Sequence, residues 1–351
     1  MDNGRVRRSG GSRRRRHTRR KKGQEEDVTV ESEDQRVKPG RTRRKTGRAL
    51  SQEVAGALEE FVKDVKEIGL SGMRKEFEEL RSYVAPNANQ ITAFKANPTK
   101  NRYQDVPCID ETRLVLTLNV PPETDYIHAN TIKMDGVDKQ YIAAQGPLEE
   151  TISDFWRMIH QESINTIIML CKTCEDSKQK CAQYWPEVGG ENKTYGSMFV
   201  MNKKTEHEDR FETYVLEVLP EGCSNSTLVK LIQMTDWPSR GVPQSGFTVL
   251  RLLRMIPLGA ATVVHCSAGV GRTGTIIAID TILARLWKSQ RIKVPEIVKE
   301  MRKQRAMMVQ SEAQYVFIYC TVLDYIQAKQ PNKYREYVHT FHEEVRNAEM
   351  I

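Results

Sequence analysis

A cysteine followed within eight residues by three glycines and an arginine, Cys266-Ser267-Ala268-Gly269-Val270-Gly271-Arg272-Thr273-Gly274, is the stretch whose residue types lend themselves most directly to chemistry. Glycines let the backbone curl so that successive N–H groups converge on one point, and such a nest at the start of a helix attracts an anion. Arg272 adds a planar fork suited to two oxygens of a phosphate. The same positive field favours the thiolate of Cys266 at neutral pH, so nucleophile and anion hole share one loop. Taken alone, the loop has a plainer reading as a glycine-rich turn with a buried cysteine.

The residues on either side indicate what must hold the loop. Val263-Val264 suits a short buried strand, and Ile276 to Trp287 is long and apolar enough for a buried helix. Upstream, helical spacing of Val54, Leu58, Phe61, Val62, Val65 and Ile68 behind a Ser51 cap predicts a helix from about Leu50. Gly69 and Gly72 interrupt it before it resumes over Met73 to Tyr83. Val84 to Lys100, with Pro86 and Pro98, reads as a loop. Extended segments are predicted at Arg113 to Asn119, Tyr126 to Lys133 and Gln140 to Ala144. Further strands are expected at Thr166 to Leu170, Lys193 to Lys203, Phe211 to Leu219 and Ser226 to Met234. Helices are predicted at Leu148 to Ser163, Pro295 to Gln304 and Ser311 to Gln327. Helices on either side of a mixed sheet make an α/β fold. No internal repeat is present.

Charge divides the chain unevenly. Residues 1–50 hold 18 Lys plus Arg against 7 Asp plus Glu, which leaves 36 against 39 of the chain's 54 and 46 for the remainder. The excess positive charge therefore belongs to the N-terminal segment, and the rest is nearly neutral, which is no argument that a folded domain binds nucleic acid. With few large apolar residues, 1–50 is expected to be disordered, a basic/acidic/basic tail. Its basic runs, Arg13 to Lys22 and Arg41 to Arg48, suit an import receptor, a nucleic acid, an anionic membrane or plain solvation.

Seven cysteines form no dense framework, and no secretory signal opens the sequence. The expectation is a reducing compartment, intracellular and cytoplasmic, with the basic runs adding a nuclear destination. Cys171-x-x-Cys174 lacks a second pair or a nearby His to complete a zinc set, so no metal or cofactor is expected. No apolar run approaches the length of a membrane span. Tyr334, Val338, Phe341 and Val345 recur at helical spacing in the C-terminal segment 330–351, as they would on a helix that docks on the domain or on a partner. Oligomeric state is left open.

Six segments in order resemble the tyrosine-specific protein tyrosine phosphatases over residues 53–329. They are Lys100 to Val106 (KNRYQDV), Asp125 to Asn130 (DYIHAN), Gln145-Gly146-Pro147, Lys180 to Pro186 (KCAQYWP), His265 to Gly274 (HCSAGVGRTG) and Val309 to Tyr315 (VQSEAQY). The resemblance implies the family's fold, a twisted mixed sheet flanked by helices with the cysteine loop at a helix N-terminus, and phosphotyrosine proteins as substrates. It makes Cys266 the nucleophile of a phosphocysteine intermediate. Arg272 and the amides of Ser267, Ala268, Gly269, Val270 and Gly271 become the cradle for the equatorial oxygens. By the same resemblance His265 and Thr273 assist the thiolate, Tyr103 walls the cleft and stacks on the substrate ring, and Asp105 accepts peptide N–H groups. Gln310 places the attacking water with Gln314 close by, and Glu175 and Lys180 support Arg272 and the acid loop.

One departure stands out. The family's mobile Trp-Pro-Asp loop corresponds here to Trp237-Pro238-Ser239, so Ser239 occupies the position of the general acid. A serine hydroxyl is a far weaker acid than a carboxyl, and loss of acid–base assistance typically costs ~10²–10⁴ in rate. Asp236 is a substitute only if it comes within hydrogen-bond reach, although it precedes Trp237 and should face another way. Two functions follow: a slowed tyrosine phosphatase, or a pseudophosphatase that captures phosphotyrosine with little turnover. A third makes the basic tail the working part.

Overall fold

Runs that are apolar on both faces form the middle of the sheet in the computed structural model, which describes residues 50–348. The strands are β1 (Arg113–Val115), β2 (Tyr126–Lys133), β3 (Gln140–Ala144), β4 (Thr166–Met169), β5 (Cys174–Glu175) and β6 (Lys178–Gln179). They continue as β7 (Asn192–Tyr195), β8 (Met198–Glu208), β9 (Phe211–Pro220), β10 (Thr227–Met234) and β11 (Thr262–His265). Nine of them build one sheet in the order β1-β2-β3-β11-β4-β10-β9-β8-β7, and β5 pairs with β6 in a separate hairpin. The central four, β3, β11, β4 and β10, run parallel, while the outer strands pair antiparallel. Every residue of β4 and β11 is buried, as strands covered by helices on both faces require.

The helices are α1 (Gln52–Ser82), α2 (Thr92–Ala96), α3 (Ile152–Gln161), α4 (Phe247–Leu253), α5 (Gly271–Trp287), α6 (Val294–Arg302), α7 (Glu312–Lys329) and α8 (Pro331–Asn347). α5 follows β11 directly and is buried on nearly all sides between the sheet and α1, α6 and α7. Its one buried carboxylate, Asp280, is matched by Lys139 Nζ at 2.8 Å and by the Tyr141 hydroxyl. α3 packs against β2, β7 and β8 instead. Ser51 caps α1 by accepting the Val54 N–H at 3.2 Å. Among the described residues no helix is long and apolar enough to cross a membrane.

Several boundaries differ from the sequence reading. The first strand ends at Val115 rather than Asn119, and Asn119 itself takes a positive φ of 56°, outside the extended region. The single strand expected over Lys193 to Lys203 is two strands joined at Gly196, whose φ of 59° and closeness to Ser153 leave no room for a side chain. Of the two glycines expected to interrupt α1, only Gly69 leaves helical angles. The loop Val84 to Lys100 contains α2, and α4 has no counterpart in the sequence reading. The C-terminal segment forms α8, with Tyr334, Val338, Phe341 and Val345 buried and the helix packed on α7. The tail expected over 1–50 lies, apart from Leu50, outside the described residues.

Candidate active site

All four parallel strands point their C-terminal ends at one place, and each delivers a different part of the site. β3 ends at Ala144 and leads into Gln145-Gly146-Pro147; β4 ends at Met169 and leads to Leu170 and the β5–β6 hairpin. β10 leads to Trp237-Pro238-Ser239, and β11 leads to Cys266. Ligands of open α/β sheets bind at this edge, outside the carboxyl ends of the strands. A cavity of about 450 Å³ lies there, lined among others by Tyr103, Asp105, Glu175, Lys180, Ser239, Cys266, Arg272, Gln310 and Gln314.

The Cys266 sulfur is buried at the floor of this cavity. It accepts the Gly269 N–H at 3.2 Å and the Thr273 hydroxyl at 3.4 Å. Both groups are donors aimed at the sulfur, which places it at the centre of the curled loop. Gly269 has a φ of 71°, and a Cβ there would sit 2.0 Å from the Ala144 carbonyl oxygen. Only glycine lets the loop fold this tightly over β3. Gly271, Arg272 and Thr273 open α5, where first-turn amides have no partner within the helix. Ser267, Ala268 and Gly271 line the cavity, and Val270 is buried behind it.

Arg272 is held in place from one side by a two-pronged ion pair, Nη1 to Glu175 Oε1 at 2.7 Å and Nη2 to Glu175 Oε2 at 2.8 Å. Its Nη1 also donates to the Leu170 carbonyl at 2.7 Å. From the other side the Pro238 and Ser239 carbonyls accept from Nη2 at 3.0 and 3.3 Å, so the acid loop is closed over the arginine. Burial works against the charge on Arg272, but the Glu175 hydrogen bonds together with the negative charge of nearby groups outweigh it and hold the guanidinium above its ordinary value. Glu175 mirrors this: burial pushes its carboxyl up, and the hydrogen bonds and charge of Arg272, with a smaller contribution from Lys180, bring it below the usual range.

His265 lies beneath the cysteine, fully buried, and burial lowers it to about 4. The ring is therefore neutral at physiological pH. Tyr184, kept protonated by burial, donates its hydroxyl to Nε2 at 2.7 Å. Nδ1–H is then left to donate to the Cys266 carbonyl at 3.2 Å, fixing the peptide that leads into the loop.

The Tyr103 hydroxyl stands 2.8 Å from Ser267 Oγ, which itself donates to the Lys180 carbonyl at 2.9 Å. Having one proton, Ser267 must accept from Tyr103, and the ring is thereby fixed as a wall of the cavity. Asp105, two residues on, is exposed at the rim. On the opposite side Gln314 Oε1 accepts the Gln310 N–H at 2.9 Å. Gln310 follows Val309, a buried β-branched residue at φ 61°, a conformation such residues rarely adopt. The turn is held by Val309 N–H donating to the Val270 carbonyl at 3.1 Å and by Arg302 bonding the Met308 and Val309 carbonyls.

Trp237 is buried, with Nε1 donating to the Gly241 carbonyl at 3.2 Å and its ring edge-on to Phe317. This anchors the loop and leaves Ser239 facing the cavity. Asp236 is turned elsewhere: its Oδ2 accepts from Arg210 Nη1 at 2.9 Å and from the Thr248 hydroxyl at 3.1 Å. It is not among the residues that line the cavity, and both of its hydrogen bonds are to residues outside that lining.

Arg305 escaped the sequence reading. It is fully buried behind the cysteine loop, donating to the Gly269 carbonyl at 2.7 Å, the Ala268 carbonyl at 3.0 Å and Asn130 Oδ1 at 2.6 Å. Its Nη2 also meets His128 Nδ1 at 3.1 Å, and burial, reinforced by the Arg305 charge, lowers His128 to about 3. With Arg305 holding the Ala268 carbonyl from behind, the Gly269 N–H on the other side of the same peptide plane points at the Cys266 sulfur. Its signal was present, since His128 and Asn130 sit in one quoted segment and Arg305 just precedes another.

Comparison with known proteins gives a consistent picture. A family model described as protein-tyrosine phosphatase matches residues 97–324. Receptor-type tyrosine-protein phosphatase eta of Gallus gallus is 35% identical over 269 residues, 75% of this chain and 19% of its own length. Receptor-type tyrosine-protein phosphatase F of Danio rerio is 41% identical over 239 residues, 66% of this chain and 12% of its own. Tyrosine-protein phosphatase non-receptor type 9 of Rattus norvegicus is 34% identical over 294 residues, 78% of this chain and 49% of its own. The chain thus spans half or less of the length of each of these relatives.

Proposed function

Because this chain belongs to the protein-tyrosine phosphatase family, we propose that it hydrolyses phosphotyrosine in proteins through a phosphocysteine, slowly, for want of a loop carboxylate. The observation that carries the reading is the sulfur of Cys266, held by the Gly269 amide and the Thr273 hydroxyl in a cavity that also presents Arg272. Cys266 attacks phosphorus, and the charge on the equatorial oxygens is met by the loop amides and the Arg272 fork. Gln310 then orients water for attack on the phosphocysteine. The Tyr103 wall supports an aryl phosphate ester, which is long enough to reach the buried sulfur.

Ser239 at the acid position supports slow turnover. Losing a general acid raises the barrier by about 3–5 kcal/mol, equivalent to ~10²–10⁴ in rate, and leaves the binding groups intact. The second reading, a phosphotyrosine-binding module with little turnover, is favoured by the diversion of Asp236 to Arg210 and Thr248. Substrate choice separates the two. On a phosphotyrosine peptide, Ser239→Asp is expected to raise kcat on the order of 10²-fold, and Cys266→Ser to abolish turnover while preserving peptide binding. No acceleration by Ser239→Asp overturns the account of the acid loop. Wild-type binding without release of phenol from an activated aryl phosphate leaves the binding module.

We carry the basic runs Arg13 to Lys22 and Arg41 to Arg48, outside the described residues, as a proposed contact for an import receptor, a nucleic acid or an anionic membrane. An intracellular, cytoplasmic or nuclear setting is proposed with them, since a thiolate nucleophile needs a reducing compartment.

A further inference from the structure

The two-residue turn between β5 and β6 has contacts that the phosphatase reading leaves unused. Asp176 and Ser177 both take positive φ, 49° and 59°. Asp176 Oδ1 accepts the Ser239 hydroxyl at 3.0 Å, and Oδ2 lies 3.6 Å from Arg240 Nε. The preceding residue, Glu175, grips Arg272. One hairpin thus registers the acid loop against the phosphate-binding arginine. Ser239 in turn lines the cavity that holds Cys266. A carboxylate, a hydroxyl and the reacting centre stand in series.

Resting on the phosphatase reading above, we propose that Asp176 acts through Ser239 as a proton relay standing in for the missing loop carboxylate. Serine alone is a poor acid because it must carry the resulting charge; it carries none when it gives one proton while receiving another. In the first half-reaction the S–P bond forms and the aryl P–O bond breaks. The Ser239 Oγ proton goes to the leaving oxygen, and the Asp176 carboxyl proton replaces it. In the second, the bond from water oxygen to phosphorus forms and the S–P bond breaks. A water proton goes to Ser239 Oγ, the Ser239 proton returns to Asp176, and the thiolate is restored. The hydrogen bond as found, Ser239 donating to the carboxylate, is the arrangement from which the second half-reaction starts. Asp176 touches Ser239 rather than substrate and is a positioning residue in this scheme.

The test uses the full chain and burst kinetics on two substrates, a phosphotyrosine peptide and an aryl phosphate whose phenol leaves without a proton. Asn tolerates the left-handed conformation at position 176 as Asp does, so Asp176→Asn keeps the turn. Its peptide kcat is expected to fall about 10–100-fold, below the loss of a direct acid, with KM unchanged. On the activated substrate the burst of phenol persists and the later steady rate falls, as phosphocysteine accumulates. Ser239→Ala causes the same losses, the double variant no further loss, and Asp176→Asn is silent when combined with Ser239→Asp. A peptide kcat equal to wild type, a loss carried by KM, or additive losses in the double variant overturns the relay. A wild type that releases no phenol from the activated substrate overturns the phosphatase reading and the relay together, whereas a normal burst with an unaffected Asp176→Asn removes the relay alone.

Discussion

A protonated imidazole has no place behind the cysteine loop. Burial holds His265 at about 4 and, with Arg305 adding its charge, His128 at about 3. An unfolded histidine titrates near ~6.5. Below that pH the unfolded chain binds protons that the folded chain refuses, so stability is full above pH 6.5 and falls as pH drops towards the folded values. At about 1.36 kcal/mol per unit, each ring costs about 2 kcal/mol of stability between pH 6.5 and 5. Urea unfolding at pH 7 and pH 5 is expected to show that drop, and His265→Gln to make it smaller by about half. Stability that stays level over the same range excludes neutral buried rings. At this scale the sequence was informative about Cys266, Arg272 and Ser239, whose chemistry is local to their side chains. It assigned no role to Tyr184, Arg305 or Asp176, because these act only through partners brought to them from elsewhere in the chain.

The cysteine loop works as an element because β11 and α5 arrive with little slack between them. Gly269 lies against the Ala144 carbonyl, so the loop and the end of β3 are packed backbone to backbone. Gly269→Ala must push the loop away from β3, and displacement of about 1 Å at a reacting centre costs about 10²-fold in rate. Measured kcat/KM on an activated aryl phosphate is expected to fall by that order while circular dichroism shows the secondary structure retained. Wild-type kinetics in this variant would mean that the loop has room the structure denies it. Elements with a strong period were legible: β2 and β3 have the predicted limits, and α7 is close to them. The β5–β6 hairpin was not, since two-residue strands have no period and their turn is defined by the positive φ of Asp176 and Ser177.

At the scale of the whole molecule, charge and fold are separate. Residues 1–50 carry the chain's excess of Lys and Arg, and the remainder is close to neutral. A peptide of residues 1–50 is expected to bind single-stranded RNA or anionic vesicles with an affinity that falls about 10²-fold or more between 50 and 200 mM salt. Absence of binding at low salt leaves that segment as a solvated one. From the sequence by itself came the nucleophile, the anion-binding loop, the α/β class and the serine at the acid position. The cysteine loop is written in neighbouring residues, the α/β class in the order of periodic segments along the chain, and the acid position of Ser239 in the resemblance to the family. Only the tertiary structure decided that four parallel strands end at one cavity, that Asp236 is drawn off by Arg210 and Thr248, and that Asp176 meets Ser239 across 63 residues of chain. Those facts depend on strand order and turn conformation, which bring distant residues within hydrogen-bond reach and leave no local pattern to read.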